Sequence, residues 1–146
     1  VAMTLSNLAN LQGALRQYDK AEENYNEALK IYRSLAEVNP EAFRTHYAII
    51  LGCLSDIYMF KREFVKAELY ARDGIKVDSK QTFIYSNLAS SLLMQSKYGE
   101  AEKLYIQFKN ELRDTFLDDL REFEEHRIIP DVYKGDIEKI KRILNE

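Results

Sequence analysis

Tryptophan is absent from the chain, and cysteine, proline and glycine are scarce, at one, two and five of 146 residues. The single cysteine, Cys53, excludes an internal disulfide and is compatible with a reducing compartment. Five glycines leave little material for a phosphate cradle, and there is no glycine-rich phosphate loop, nucleophile elbow or His-Glu zinc helix. The two histidines, His46 and His126, have no second His or Cys at ligand spacing. His126 follows Glu124-Glu125, which suits either an acid/base or metal pair or a solvated helix end. No apolar run reaches the roughly 18 residues that a bilayer span needs. Neither sign of charge dominates: 21 basic residues face 24 acidic ones, a net −3 with pI near 5.5. That balance argues against a nucleic-acid backbone or an anionic membrane as partner. No catalytic constellation, metal or cofactor is expected.

What the chain does have is a recurring pattern. Asn7-Leu8-Ala9 opens it, Tyr18 and Ala21 mark its middle, and Tyr25, Ala28 and Leu29 close it. Aligned on the middle pair, the copies are Tyr18/Ala21, Phe64/Ala67 and Tyr98/Ala101, with intervals of 46 and then 34 residues. Lys20-Ala21-Glu22, Lys66-Ala67-Glu68 and Glu100-Ala101-Glu102 keep the copies in register. Two antiparallel helices approach closely only where a side chain at the crossing is small. Ala9, Ser55 and Ala89 supply one such place, Ala21, Ala67 and Ala101 a second, and Ala28 and Gly74 a third, where the last copy has Phe108. Large residues fill the spaces between: Leu5, Leu8, Leu15, Tyr18, Tyr25 and Leu29 in the first copy, with counterparts such as Leu51, Leu54 and Tyr58, then Tyr85, Leu88 and Leu92. Their helical spacing makes an apolar face flanked by polar residues.

A 34-residue period with small residues at fixed places resembles the tetratricopeptide repeat (TPR) family. The likeness covers about three-quarters of the chain. The family's Trp is replaced by Leu5, Leu51 and Tyr85, and its closing Pro is missing from every copy. The resemblance implies an all-α, right-handed α-solenoid of three helix hairpins plus a C-terminal capping helix pair. As one domain, 1–146 divides into repeat one at about 1–38, repeat two at about 40–78, repeat three at about 81–112 and a cap at about 115–146. The 12 extra residues of the first interval lengthen the helices on either side of Asn39-Pro40, as in the extended repeats of kinesin light chain and bacterial arrays. In the cap, Thr115 and Asp118 form a capping-box-like start to a helix whose apolar stripe is Phe116, Leu117, Leu120 and Phe123. Ile137, Ile140 and Leu144 make a last amphipathic helix, and the pair would cover the final repeat.

The family implies a non-enzymatic interaction module, an adaptor or scaffold whose first helices line a concave groove for a peptide or helix. On that face lie Ser6, Asn7, Asn10, Cys53, Asp56, Met59, Phe60, Asn87, Ser90 and Met94. Asn7, Asn10 and Asn87 would hold a ligand's backbone, and Met59, Phe60 and Met94 would touch its apolar side chains. A wetted helix face would carry the same residues, with the asparagines only bracing neighbouring helices. Some relatives grip a C-terminal carboxylate with Lys and Arg on this face. Here none falls there, and Asp56 would repel an anion. The partner is expected to be a protein or peptide, in the cytoplasm, with no nucleic acid or membrane. An alternative is a structural segment that self-associates through its N-terminal face, or the regulatory arm of a larger enzyme or signalling protein.

Overall fold

A computed structural model describes all residues from 1 to 146. Eight helices follow one another with no strand: α1 (Ala2–Ala14), α2 (Tyr18–Val38), α3 (Pro40–Phe60), α4 (Phe64–Val77), α5 (Phe83–Leu93), α6 (Tyr98–Gln107), α7 (Lys109–Glu125) and α8 (Lys134–Asn145). A short 3₁₀ turn over Asp131–Tyr133 precedes α8. From α1 to α6 each helix packs on the next, and α3 also touches α5, so hairpins are layered pair upon pair. This is a helical-repeat solenoid.

The small residues are where the helices meet. Ala9, Ser55, Ala89, Ala21, Ala67, Ala101 and Ala28 are all completely buried. In the second hairpin two of these places touch directly, the Ser55 hydroxyl donating to the Ala67 carbonyl at 2.7 Å. Gly52 marks a close approach between hairpins: a β-carbon there would lie 2.7 Å from Phe83 and 2.8 Å from Ile84. The 12 extra residues of the first interval go into α2 and α3, each 21 residues long. Asn39 separates them, its side chain accepting from the Ala42 amide, with Pro40 as the first residue of α3.

Each first helix ends on the same turn. Arg16, Arg62, Ser96 and Arg127 have φ of 61°, 61°, 62° and 57°, the left-handed region that non-glycine residues rarely enter. The following amide reaches back to close each turn, from Gln17 to the Gln12 carbonyl, Glu63 to Tyr58, Lys97 to Leu92 and Ile128 to Phe123. The fourth turn lies between α7 and α8, outside the three sequence repeats.

The shared Lys-Ala-Glu motif ties hairpin to hairpin. Glu22 accepts from Lys61 at 2.7 Å and from the Tyr58 hydroxyl at 2.9 Å. Glu68, the matching residue one unit on, accepts from Lys97 and Gln95 of the next hairpin, both at 2.9 Å, and from Arg72. Burial pushes both carboxyls up, but these donors prevail and hold them below the usual range.

The two ends differ from the expectations. Leu8 and Leu15 of α1, assigned to the interior, are 44% and 59% exposed. The register mate of Leu8 shows why: Leu54 is fully buried because α2 packs on α3, whereas nothing packs on that side of α1. At the other end, α7 starts at Lys109 rather than near Thr115. Helical hydrogen bonding runs on both sides of Phe108, from the Phe108 amide to Leu104 and from the Leu112 amide to Phe108. Only Phe108 leaves helical geometry, its ring stacked on Tyr85 with centroids 4.2 Å apart. The break therefore has neither Gly nor Pro to announce it.

Candidate interaction groove

The first helices α1, α3 and α5 present a common face, as the repeat pattern requires, and α7 lies across it. In its first half α7 packs on α6, Phe116 meeting Tyr105 edge-on at 4.8 Å with both rings buried. Midway it crosses α5, where the Ser86 hydroxyl donates to Asp119 at 2.6 Å. At its far end it reaches α3: Phe123 meets Phe60 at 5.3 Å, and His126 lies 5.3 Å from the same ring. The Arg62 guanidinium donates to the Arg127 carbonyl. Leu112, Phe116, Leu120 and Phe123 form the buried stripe. Rather than only closing the last repeat, α7 covers the α5 part of the common face and reaches the C-terminal end of α3. It is α8 that packs against α6 and the flank of α7, with Lys141 paired to Glu124.

The ten residues assigned to the groove divide accordingly. Met59, Asn87, Ser90 and Met94 are buried and closed to a ligand. The Asn87 amide is committed to the Gly52 carbonyl at 3.0 Å, bracing α5 against α3. The Ser90 hydroxyl bonds the Ser86 carbonyl of its own helix at 2.9 Å. Asn7 and Asn10 stay exposed on α1, and Ser6 is half-buried, its hydroxyl donating to the Ala2 carbonyl. The Asn10 side chain accepts from the Tyr25 hydroxyl. Cys53, Asp56 and Phe60 are half-buried.

Those last three surround an opening. A cavity of about 260 Å³ lies between α1, the start of α2, α3 and α7. Asn10 and Gly13 form one side, Tyr18, Tyr25 and Phe60 supply aromatic walls, and Asp56 and Glu122 supply carboxylates. Tyr18 stacks on Phe60 with centroids 5.2 Å apart and planes 7° from parallel. Tyr18 and Glu122 also line the opening, although the sequence does not mark them as groove residues. Tyr18 sits on a repeat position that reads as core, and Glu122 reads as the solvated side of a terminal helix.

Electrostatically this opening is one-sided. Burial, then the charges of Asp119 and Glu122, push the Asp56 carboxyl up to about 8. Asp119 is raised to about 6 by burial, although its bond from Ser86 works against this. The Cys53 thiol rises to about 11, through burial and then Asp56, so it is no nucleophile at neutral pH. Burial lifts Tyr25 further still. His46 is exposed and stacked on Tyr32 at 5.2 Å. No group of three or more His, Cys, Asp or Glu side chains is placed to hold a metal ion, and no helix is long and apolar enough to cross a membrane.

An all-helical array with helices packed hairpin upon hairpin defines the class: a helical-repeat solenoid. Residues 2–35 match the family model of the tetratricopeptide repeat, so the first hairpin is a tetratricopeptide repeat. Repeats of this family generally mediate protein–protein interaction and are typically non-enzymatic. No curated protein matches the chain.

Proposed function

We propose that the chain is a protein-interaction module, an adaptor or scaffold without enzymatic activity, working as one domain of three hairpins and a terminal pair. Its ligand is a peptide or helix taken along the uncovered part of the concave face, over α1 and α3. The observation that carries this reading is the cavity bounded by Asn10, Tyr18, Asp56 and Phe60 beside the exposed amide of Asn7. An exposed asparagine offers both donor and acceptor to an extended backbone, and the aromatic walls offer an apolar seat. Met59, Asn87, Ser90 and Met94 instead hold the scaffold. A photo-crosslinking residue at position 7 should capture the partner, while one at Val65, exposed on α4, should not. Equal capture at both positions would refute the groove.

A second reading rests on α1. Val1, Met3, Leu8, Leu11 and Leu15 are all between 44% and 91% exposed. Such a stripe suits self-association through this face. Sedimentation equilibrium should then show concentration-dependent assembly that Leu11→Asp abolishes. A monomer at every concentration would rule it out.

A further inference from the structure

Building on the groove reading, we propose that the cavity between α1, α3 and α7 receives one cationic side chain, lysine or arginine, of the peptide partner. Its size sets the scale: about 260 Å³ falls below the roughly 300–1,000 Å³ typical of small-molecule sites, and suits a single long side chain. Its chemistry sets the sign. The lining holds two carboxylates, Asp56 and Glu122, and no lysine or arginine.

Asp56 is the central group. It is half-buried in the cavity wall, and it takes part in none of the chain's side-chain hydrogen bonds or ion pairs, although Glu22 and Glu68 are each held by several donors. From α7 it faces Asp119, already bonded to Ser86, and Glu122, which has no cationic partner either. From α2 the phenols Tyr18 and Tyr25 face the same space, and on its own helix Cys53 lies beside it, all neutral at pH 7. Arg16, at the end of α1, acts on Tyr18 but lies outside the cavity lining. Burial and the neighbouring carboxylates disfavour the charged form of Asp56, and a cation offsets this while pairing with the exposed Glu122 as well. The aromatic walls add a second attraction for lysine or arginine over ring faces. An uncharged side chain would leave the carboxylates unpaired.

The predicted behaviour follows. Asp56 must lose its proton when the cation enters, so affinity climbs as pH rises toward about 8 and then levels off. Three blocked amino acids serve as probes for the 146-residue chain: N-acetyl-arginine methylamide, its lysine analogue, and the uncharged isostere N-acetyl-citrulline methylamide. Followed by NMR, the arginine and lysine probes should shift the amides of Gly13, Cys53 and Asp56 saturably. Citrulline should bind at least about tenfold more weakly, as expected for losing a charge-assisted bond. Asp56→Asn should weaken the arginine probe by at least about tenfold while raising the thermal midpoint at pH 9, which separates lost binding from lost folding. Citrulline matching arginine, or Asp56→Asn leaving arginine unchanged, would overturn the cation site and leave the groove standing. No shift with any probe, while the crosslinker at position 7 still captures a partner, would also overturn the cation site alone. Failure of both experiments would overturn the groove itself.

Discussion

The first helix of the solenoid and its last two treat their apolar side chains in opposite ways. In α1 only Ala2 and Ala9 are buried, while Leu8, Leu11 and Leu15 face outward. In α7 and α8, Leu112, Phe116, Leu120, Phe123, Ile137, Ile140 and Leu144 are all buried. The difference is geometric rather than compositional. A first helix acquires a covered face only from a second helix in front of it, as α3 does from α2, and α1 has none. The last hairpin, α5–α6, obtains its cover from α7 folding back over α5 and from α8 lying along α6. The outer side of α1 is thus left uncovered, while the far side of the array is sealed by α7 and α8 at the expense of part of the groove.

The contrast is open to four measurements. Phe116→Ala at the sealed end should have the largest effect, lowering stability by about 3–5 kcal/mol, because the ring is fully buried against Tyr105. Chemical denaturation checks it, and a loss under 1 kcal/mol would mean that α7 is not part of the fold's core. In the interior, Ala67→Leu should overfill the crossing where Ser55 meets the Ala67 carbonyl, costing about 1–3 kcal/mol in the same assay.

The third measurement is pH dependence. Asp56 and Asp119 are raised to about 8 and about 6, against an ordinary value of 3.8. The folded state therefore holds protons that the unfolded chain has released. The stability these groups contribute is complete below about pH 4 and declines as pH rises, to about 6 for Asp119 and about 8 for Asp56. The gap in denaturation midpoint between wild type and Asp56→Asn should widen between pH 6 and 8 in favour of the variant. A constant gap would remove the carboxylate opposition between α3 and α7. The smallest effect belongs to the uncovered end: Leu11→Ser should change stability by less than about 0.5 kcal/mol.

The repeat itself was legible in the sequence because close helix crossings admit few residue types. Ala21, Ala67 and Ala101 recur at one place, and each is fully buried. Asn39-Pro40 was legible for a related reason, since proline tolerates little except a helix start. The groove was less so. Periodicity assigns a side chain to a face of its own helix, and it put Asn87, Ser90 and Met94 on the face that would be concave. It carries no information about a later helix lying over that face. The stripe of Phe116, Leu120 and Phe123 was visible, but its target was not. Phe108, where the chain turns to bring α7 back, looks like any other repeat aromatic. The carboxylate arrangement was hidden for the same reason, because Asp56 lies 63 residues from Asp119.

The bond from Arg62 to the Arg127 carbonyl has a mechanical consequence. An open solenoid behaves as a spring, each coil sliding slightly on the next when its ends are pulled. Here the second corner is fastened to the fourth, and Phe60 is clasped by Phe123 beside it. That bracket spans the curve like the string of a bow, so straightening the segment from α3 to α7 would have to break both contacts.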